Sequence, residues 1–350
     1  MAQRLMTQNF RATIVLTVLT VVAWLACLGF ADSFEKESTC SASEVEQSSH
    51  QTFAEWTRFD FSASKMGVPV RLSFYASNES IAQKAADAVF AHFDKLNAIL
   101  SDYDPESEII AVCRKSSETN DYVALSPDLF RVLAFARTCT EKTDGAFDIT
   151  VSPVVKLWRR SRSFRELPPP EYLEKARQLV GNDRWELQAD PPAVRTLAPG
   201  VRFDVGGVAK GIALDDALEI LASFGITSAL LDAGGDLRIG DPPPGSDGWR
   251  VEFATLTPDD SERPVRVFAN VGIACSGDTN RYVEINGVRY SHIIDPRTGN
   301  PLTEHVVVAV SAPCAADADA LASAICVLGE TEGKKILARF PGACLIDFLR

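Results

Sequence analysis

The 350-residue chain is 46% hydrophobic and 23% charged, which is typical of a folded globular protein and excludes a disordered one. Its formal net charge of -12 leaves little basic surface to neutralise phosphates, so nucleic acid is not expected as a partner. A small anionic ligand fits this charge only with local help from a metal ion, a lysine or backbone amides.

The N-terminal segment has the composition of an export signal. Arg4 and Arg11 precede residues 12–31, an apolar run without charge. The run is about as long as a membrane span, which needs about 20 apolar residues. A cleaved signal peptide, an uncleaved signal anchor and lipidation at Cys27 therefore all stay open for residues 1–31. Each alternative places the rest of the chain outside the cytoplasm.

Residues 32–57 are polar and rich in Ser and Glu, which predicts a linker, and residues 58–350 are expected to form one domain. Apolar residues at alternate positions predict strands, and apolar residues at helical spacing predict helices. Strand runs mixed with pairs of helices favour an α+β architecture with mixed or antiparallel sheets. In chain order the predicted elements are a strand at 66–76, a helix at 80–100, a helix from Ser126 to Gly145, a short helix at 152–158, strands at 185–188, 196–200 and 201–204, a helix at 206–225, strands at 229–240, 249–256, 265–277, 281–285, 288–294 and 306–312, helices at 315–328 and 331–338, and a strand at 342–348.

The eight cysteines show no CxxC pair and no Cys/His metal spacing. Cys326 and Cys344 lie in apolar runs and are expected to be buried free thiols. An exported location permits a disulfide, but the sequence does not name a pair.

A glycine-rich junction, Phe203–Gly211, joins a predicted strand to a predicted helix. Its paired glycines allow close approach of the backbone to a ligand, and a helix start can hold an anion. The junction matches neither the dinucleotide fingerprint nor the P-loop. The alternative is a tight turn, with Asp204 as a cap and Lys210 in solvent.

Two shorter motifs are open to both a ligand-binding and a structural interpretation. In Gly145–Thr150, Phe147 is suited to pack on a planar ring and Asp148 to accept from a hydrogen-bond donor, or both are ordinary turn residues. In Asp232–Asp236, two glycines inside a strand pattern predict either a bulge or a close backbone contact with a ligand.

The remaining candidate site residues lie on the late predicted helix and in the turn-rich motif that contains His292. Asp319 and Ser323 are four residues apart on one helix face and offer a carboxylate and a hydroxyl oxygen to a cation such as Mg²⁺. The alternative is an acidic residue favoured by the helix dipole. His292, which precedes an Asp-Pro turn, is a candidate base, a candidate hydrogen-bond donor to a phosphate, or a satisfied structural histidine.

Taken together and in order, these motifs resemble the FAD:protein FMN transferase family, also called ApbE, from about Met66 to the C-terminus. The resemblance implies an α+β domain similar to a tandem T-fold. It also implies transfer of the FMN half of FAD to a Thr or Ser hydroxyl of an acceptor protein, with Mg²⁺ and with release of AMP. The acceptor would be a membrane redox subunit, and the enzyme would act at the periplasmic face of the inner membrane.

The resemblance also implies roles for particular residues. His292 matches the family's histidine implicated in catalysis. Asp319 and Ser323 match the side-chain ligands of Mg²⁺, with the Gly207 carbonyl as a backbone ligand. Ser323 stands where Thr is common, but it keeps the hydroxyl. The implied FAD contacts are Met66, Tyr103, Ala146, Phe147, Asp148, Asp204, Lys210 and Ile293.

Two alternatives share these motifs. In an FAD pyrophosphatase, water replaces the acceptor hydroxyl. In a non-catalytic FAD-binding protein, FAD stays intact and no AMP is released. Asp278, in a Ser-Gly-Asp motif, is a weaker candidate for the base than His292.

Overall fold

The computed structural model describes residues 56–119, 121–253, 265–279 and 281–350. The predicted export segment, residues 1–31, lies outside the described residues, as does most of the predicted linker. Within the described ranges, no helix combines the length and the apolar character needed to cross a membrane.

The described residues form seven helices and sixteen strands. The helices are α1 (Glu79–Leu100), α2 (Glu108–Thr119), α3 (Pro127–Lys142), α4 (Ser152–Phe164), α5 (Pro170–Arg177), α6 (Ala209–Ser223) and α7 (Ala315–Leu337). The strands are β1 (Thr57–Lys65), β2 (Val68–Ala76), β3 (Val123–Ala124), β4 (Trp185–Ala189), β5 (Pro192–Thr196), β6 (Ala229–Ala233), β7 (Asp236–Ile239), β8 (Trp249–Glu252), β9 (Val265–Phe268), β10 (Val271–Gly277), β11 (Tyr282–Ile285), β12 (Val288–Ser291), β13 (Ile294–Asp295), β14 (Asn300–Pro301), β15 (Val307–Ala312) and β16 (Cys344–Leu349).

A seven-stranded sheet in the order β1-β2-β6-β7-β10-β15-β16 forms the framework, and every pairing in it is antiparallel. A smaller sheet, β3-β5-β4, and three two-stranded ladders complete the described architecture. The predicted α+β class is therefore confirmed, whereas the likeness to a tandem T-fold stays a prediction.

Helices α1, α6 and α7 pack on this sheet and bury the main core. Strand β2 shows how the sequence builds it, because its alternate residues Val70, Leu72 and Phe74 are fully buried. Helix α7 is rich in alanine, and small side chains let a helix approach both the sheet and α6 closely. This close packing places the beginning of α7 beside the glycine-rich junction.

Gly211 lies at the contact between α6 and α7. A Cβ atom added there would lie 2.5 Å from the carbonyl oxygen of Ala315 and 2.6 Å from Cα of Ala316. We therefore expect Gly211→Ala to destabilise the fold by about 1–2 kcal/mol, because overpacking outweighs the gain in helix propensity. Urea unfolding measures this. The exposed Glu219→Ala on the same helix is the control, expected within about 0.5 kcal/mol of wild type; equal stability of the two variants would contradict the close contact.

Several predicted elements are confirmed, together with the capping and turn residues at their ends. Ser126 caps α3 by accepting the Leu129 N–H at 3.2 Å. Asn286 and Gly287 form the β11–β12 hairpin turn with φ of 53° and 76°. Gly329, with φ of 78°, interrupts α7, so the two predicted late helices are the two parts of one element.

Other elements were missed or wrongly predicted. Strand β1 and helices α2 and α5 were not predicted. Residues 201–204 form no strand: Val201 and Phe203 are buried in the core, and the N–H of Asp204 bonds to the Ile149 carbonyl at 2.7 Å. Cys326 is a buried free thiol as predicted, but Cys344 is exposed, because β16 is an edge strand of the sheet.

Candidate active site

The glycine-rich junction brings three predicted residues together. A Cβ atom at Gly207 would lie 3.0 Å from the ring of Phe147 and 3.3 Å from Oγ of Ser323. One residue before it, the Gly206 N–H donates to Oδ1 of Asp204 at 3.0 Å. The turn is therefore capped by Asp204 and packed closely at Gly207, which places the backbone of the junction directly beside α7.

Lys210 points inward and bridges two carboxylates. Its Nζ lies 2.8 Å from Oδ2 of Asp236 and 3.2 Å from Oδ2 of Asp319. Asp319 is 2% exposed and also accepts the Gly211 N–H at 3.4 Å. The alternative of a solvated lysine is therefore wrong, and the sequence motif around Lys210 is connected to the late helix.

The start of α7 is fixed from α6. Asp215 accepts the N–H groups of Ala315 and Ala316, each at 2.9 Å. These bonds satisfy orphan donors of the first helical turn and hold α7 in register with α6. They thereby position Asp319, one turn further along, opposite Lys210.

Burial controls the ionisation of this cluster. It raises the pKa of Asp319 to about 6, with Lys210 acting to lower it and Asp236 to raise it. Burial also acts to lower the pKa of Lys210, but Asp319 and Asp236 outweigh it and hold that pKa above its ordinary value. The ammonium is therefore charged and holds two carboxylates.

The residues predicted to hold Mg²⁺ fit a hard cation in their chemistry. Asp319 supplies a buried carboxylate, Ser323 a hydroxyl that lies 3.3 Å from Oγ of Ser276, and Gly207 a carbonyl on the neighbouring loop. Among the described residues, no three His, Cys, Asp or Glu side chains converge as a metal site. A cation here would therefore depend on mixed oxygen ligands, with water or substrate oxygens completing its coordination.

Tyr103 is an exposed aromatic platform beside the junction. It is 77% exposed, and the Arg159 guanidinium lies 4.5 Å from its ring centroid. Arg159 is held by Asp102 at 2.5 Å and by Asp204 at 3.3 Å. Burial, together with the nearby Asp102, raises the pKa of Asp204. The Arg159 guanidinium thus supports the tyrosine ring, while much of the ring remains free to stack on a planar ligand.

The motif Ala146–Phe147–Asp148 is buried. Oδ1 of Asp148 accepts the N–H of Thr150 at 2.8 Å and its hydroxyl at 2.6 Å, and burial raises the pKa of the carboxyl. A cavity of about 370 Å³ adjoins the motif and is lined by Asp148 and by Arg297 of the Asp-Pro turn. Two motifs that are far apart in the sequence therefore share one cavity.

His292 is presented as a neutral base. The backbone N–H of His292 donates to the Arg281 carbonyl at 2.9 Å, and the ring Nδ1 lies 3.2 Å from the same oxygen. Since a carbonyl can only accept, we assign the ring proton to Nδ1, which leaves the lone pair on Nε2. Burial, together with the Arg281 charge, lowers the pKa of His292 to about 4. Next to it, the Ile293 N–H donates to Oγ of Ser291 at 3.0 Å.

Helix α4 packs against the segment that carries His292. The Trp158 ring stacks on Tyr290 with centroids 5.2 Å apart, and its Nε1–H donates to the Gly299 carbonyl at 3.0 Å. Arg162, one turn after Trp158, also lowers the pKa of His292. Because α4 carries Arg159 as well, it links the histidine to the Tyr103 platform.

Asp278 has a structural setting instead of a catalytic one. It is 1% exposed, its Oδ1 lies 2.8 Å from Nδ1 of His305, and its Oδ2 accepts from Arg289. Although burial acts to raise its pKa, Arg289 and His305 hold the pKa below its ordinary value. Because both oxygens of this carboxylate already hold a side chain, the weaker candidate is not supported.

The remaining predicted contact, Met66, lies in the β1–β2 turn with φ of 49° and packs on the main core. The site residues that were not predicted from the sequence are those that hold a predicted residue in place through an ion pair. Arg159 and Asp102 had no recognisable signal. Asp236 lies in the Asp232–Asp236 motif, whose glycines turn out to form the β6–β7 hairpin.

Comparison with known proteins decides the family. The sequence model of the ApbE family matches residues 66–346. The chain belongs to the ApbE family. Its relatives include the FAD:protein FMN transferase of Haemophilus influenzae, which is 31% identical over 73% of this chain and 75% of that protein. That of Treponema pallidum is 30% identical over 79% of this chain and 80% of its own length.

Solved structures of this family share the fold. The flavin transferase ApbE from Vibrio cholerae superimposes with a TM-score of 0.72 at 25% identity, covering 83% of this chain and 93% of that structure. The ApbE protein from Thermotoga maritima gives a TM-score of 0.72 at 29% identity, with coverages of 84% and 97%. The predicted family and enzyme class, a flavin transferase, are confirmed.

The ionisation of His292 can be measured directly. NMR titration of its imidazole protons, assigned by their loss in His292→Ala, is expected to show a midpoint near 4. The lowered pKa means that the ring stays neutral, and able to accept a proton, as the pH falls toward that value. A midpoint at the ordinary value of about 6.5 would contradict the half-buried, cation-flanked setting.

Proposed function

We propose that this enzyme transfers the FMN half of FAD to a Thr or Ser hydroxyl of an acceptor protein and releases AMP, in a Mg²⁺-dependent reaction. The observation that carries the proposal is the oxygen cluster formed by the buried Asp319 carboxylate, the Ser323 hydroxyl and the Gly207 loop, with Lys210 against it. Such a cluster suits a cation and the diphosphate of a dinucleotide. The names of the matched relatives support the same activity.

The neighbouring residues suit the rest of FAD. Tyr103, supported by Arg159, offers an aromatic face for a planar ring. Asp204 in the junction and the buried Ala146–Phe147–Asp148 motif beside it offer polar and apolar contacts. Lys210 offers a positive charge toward phosphate oxygens, which an acidic protein must supply locally. We assign Met66 and Ile293 to the same substrate on the family pattern alone.

His292 accepts the proton in the proposed reaction. Nε2 takes the proton of the acceptor hydroxyl, and the oxygen forms a bond to the phosphorus of the FMN half. The bond between that phosphorus and the bridging oxygen breaks, and AMP leaves with the electron pair. Asp319, Ser323 and the Gly207 carbonyl would hold Mg²⁺, which would supply charge neutralisation for the diphosphate and for the leaving phosphate. Lys210 and the ordered junction backbone keep the diphosphate in position.

We further propose an exported enzyme that acts at the periplasmic face of the inner membrane on a membrane redox subunit. The charge-free run at residues 12–31 supports export, by signal cleavage, lipidation or an anchor. Fractionation of cells that produce the full-length chain would test this location.

Mass measurement of the acceptor tests the reaction. The protein is incubated with FAD, Mg²⁺ and a candidate redox subunit, and the subunit is then weighed. A gain of one FMN unit together with AMP release is expected. Free FMN and AMP with an unmodified subunit would instead indicate an FAD pyrophosphatase, and intact FAD would indicate a binding protein.

A further inference from the structure

Asp236 is a buried acid beside the proposed metal site, and it has no role in the proposed reaction. It is 5% exposed and begins β7, directly after the two-glycine turn. Its Oδ2 lies 2.8 Å from Nζ of Lys210, and its Oδ1 accepts the Cys275 N–H of β10 at 3.3 Å. Both oxygens are therefore fixed, one by the sheet and one by the lysine.

The contacts of Lys210 are unequal. Nζ is closer to Asp236, at 2.8 Å, than to either oxygen of Asp319, at 3.2 Å and 3.4 Å. An ammonium that paired fully with Asp319 would neutralise the carboxylate that a divalent cation needs, and would repel the cation. Asp236 supplies a second negative charge that keeps the trio of Asp236, Lys210 and Asp319 at a net charge of -1.

We propose that Asp236 is a positioning residue that holds the Lys210 ammonium against β7 and so leaves Asp319 available to a divalent cation. The inference rests on the proposed metal role of Asp319. Asp236 acts through Lys210 and is not itself a ligand. Lys210 can then stay beside the site, next to the diphosphate, after the cation has bound.

Two substitutions of this trio are expected to affect Mg²⁺ affinity differently. In Asp236→Asn, Lys210 is left with Asp319 alone, so Mg²⁺ affinity is expected to fall by about tenfold or more, as for other groups that support a metal ligand. In Lys210→Met, both carboxylates lose their counter-ion, so Mg²⁺ is expected to bind at least as tightly as in wild type. In the double variant, Asp236→Asn should no longer weaken binding, because the lysine through which Asp236 acts is gone.

The matched control lies in the same motif. Asp232 accepts the Gly235 N–H at 2.8 Å and pairs with Arg71 at 3.2 Å, on the exposed side of the hairpin. Asp232→Asn removes one negative charge four residues away from Asp236 while keeping an acceptor for that turn. It is expected to leave Mg²⁺ affinity unchanged, which separates a local effect of Asp236 from a general loss of negative charge.

The test is a calorimetric titration of Mg²⁺ alone into metal-free wild type and the four variants, with the Mg²⁺-induced shift in Tm as a second readout. The thermal midpoint without metal confirms that each variant is folded. Equal affinity of Asp236→Asn and Asp232→Asn would overturn the inference while the proposed metal site stands. Weakening by Asp236→Asn that persists in the Lys210→Met background would also overturn it, in favour of direct ligation. A wild-type protein without any Mg²⁺ response would overturn the proposed metal role itself.

Discussion

Replacing His292 by alanine is expected to lower the rate of flavin transfer by roughly 100- to 10,000-fold, the usual contribution of a general base. FAD binding should persist, because the imidazole is bonded to the Arg281 carbonyl and not to the residues of the junction. Transfer is followed by the mass gain of the acceptor in a single turnover, and FAD binding by flavin fluorescence.

The control for this variant is a second histidine near the site. His305→Gln removes an imidazole that pairs with the structural Asp278, and it is expected to retain transfer. Undiminished transfer by His292→Ala would remove this residue from the mechanism. Loss of FAD binding in that variant would show that the histidine holds the substrate instead of moving a proton.

Asp319→Asn is expected to weaken Mg²⁺ binding by more than about 100-fold, beyond the effect of removing a supporting group, and to abolish Mg²⁺-dependent turnover. The substitution keeps the size of the side chain but removes the buried charge that Lys210 and the cation share. Calorimetry measures the affinity, and AMP release at increasing Mg²⁺ measures the turnover.

Asp317→Asn is the matched control, two residues earlier in the first turn of the same helix. Its loss affects the favourable interaction with the helix dipole, about 0.3–1 kcal/mol of stability, and the contact of its carboxylate with the Cys314 thiol. It should bind Mg²⁺ as wild type does. If Asp319→Asn kept both the affinity and the turnover of this control, Asp319 would not be the ligand.

The sequence predicted the site best where a motif requires a particular residue type. A side chain at Gly207 would crowd Phe147 and Ser323, and Asp319 and Ser323 share a helix face because they are four residues apart. The paired glycines and the helical spacing are local features, so they are visible in one chain. The role of each residue in catalysis and in FAD binding stays a prediction.

Long-range partners were not predictable in this way. The contacts among Lys210, Asp236 and Asp319 span more than a hundred residues of sequence. No pattern in the sequence predicts that this lysine pairs with these two acids. The same holds for Arg159, which joins Asp102 to Asp204. Strand β1 was missed because its half-exposed edge position leaves a weak apolar alternation next to a polar stretch.

The most direct measurement is the anomalous scattering of Mn²⁺, substituted for Mg²⁺, in crystals of the protein with FAD. We predict a peak at about 2.1 Å from the Asp319 carboxylate, with the hydroxyl of Ser323, the Gly207 carbonyl and the FAD diphosphate around it. A bound FAD whose diphosphate lies away from Asp319, or a manganese peak elsewhere, would contradict the account.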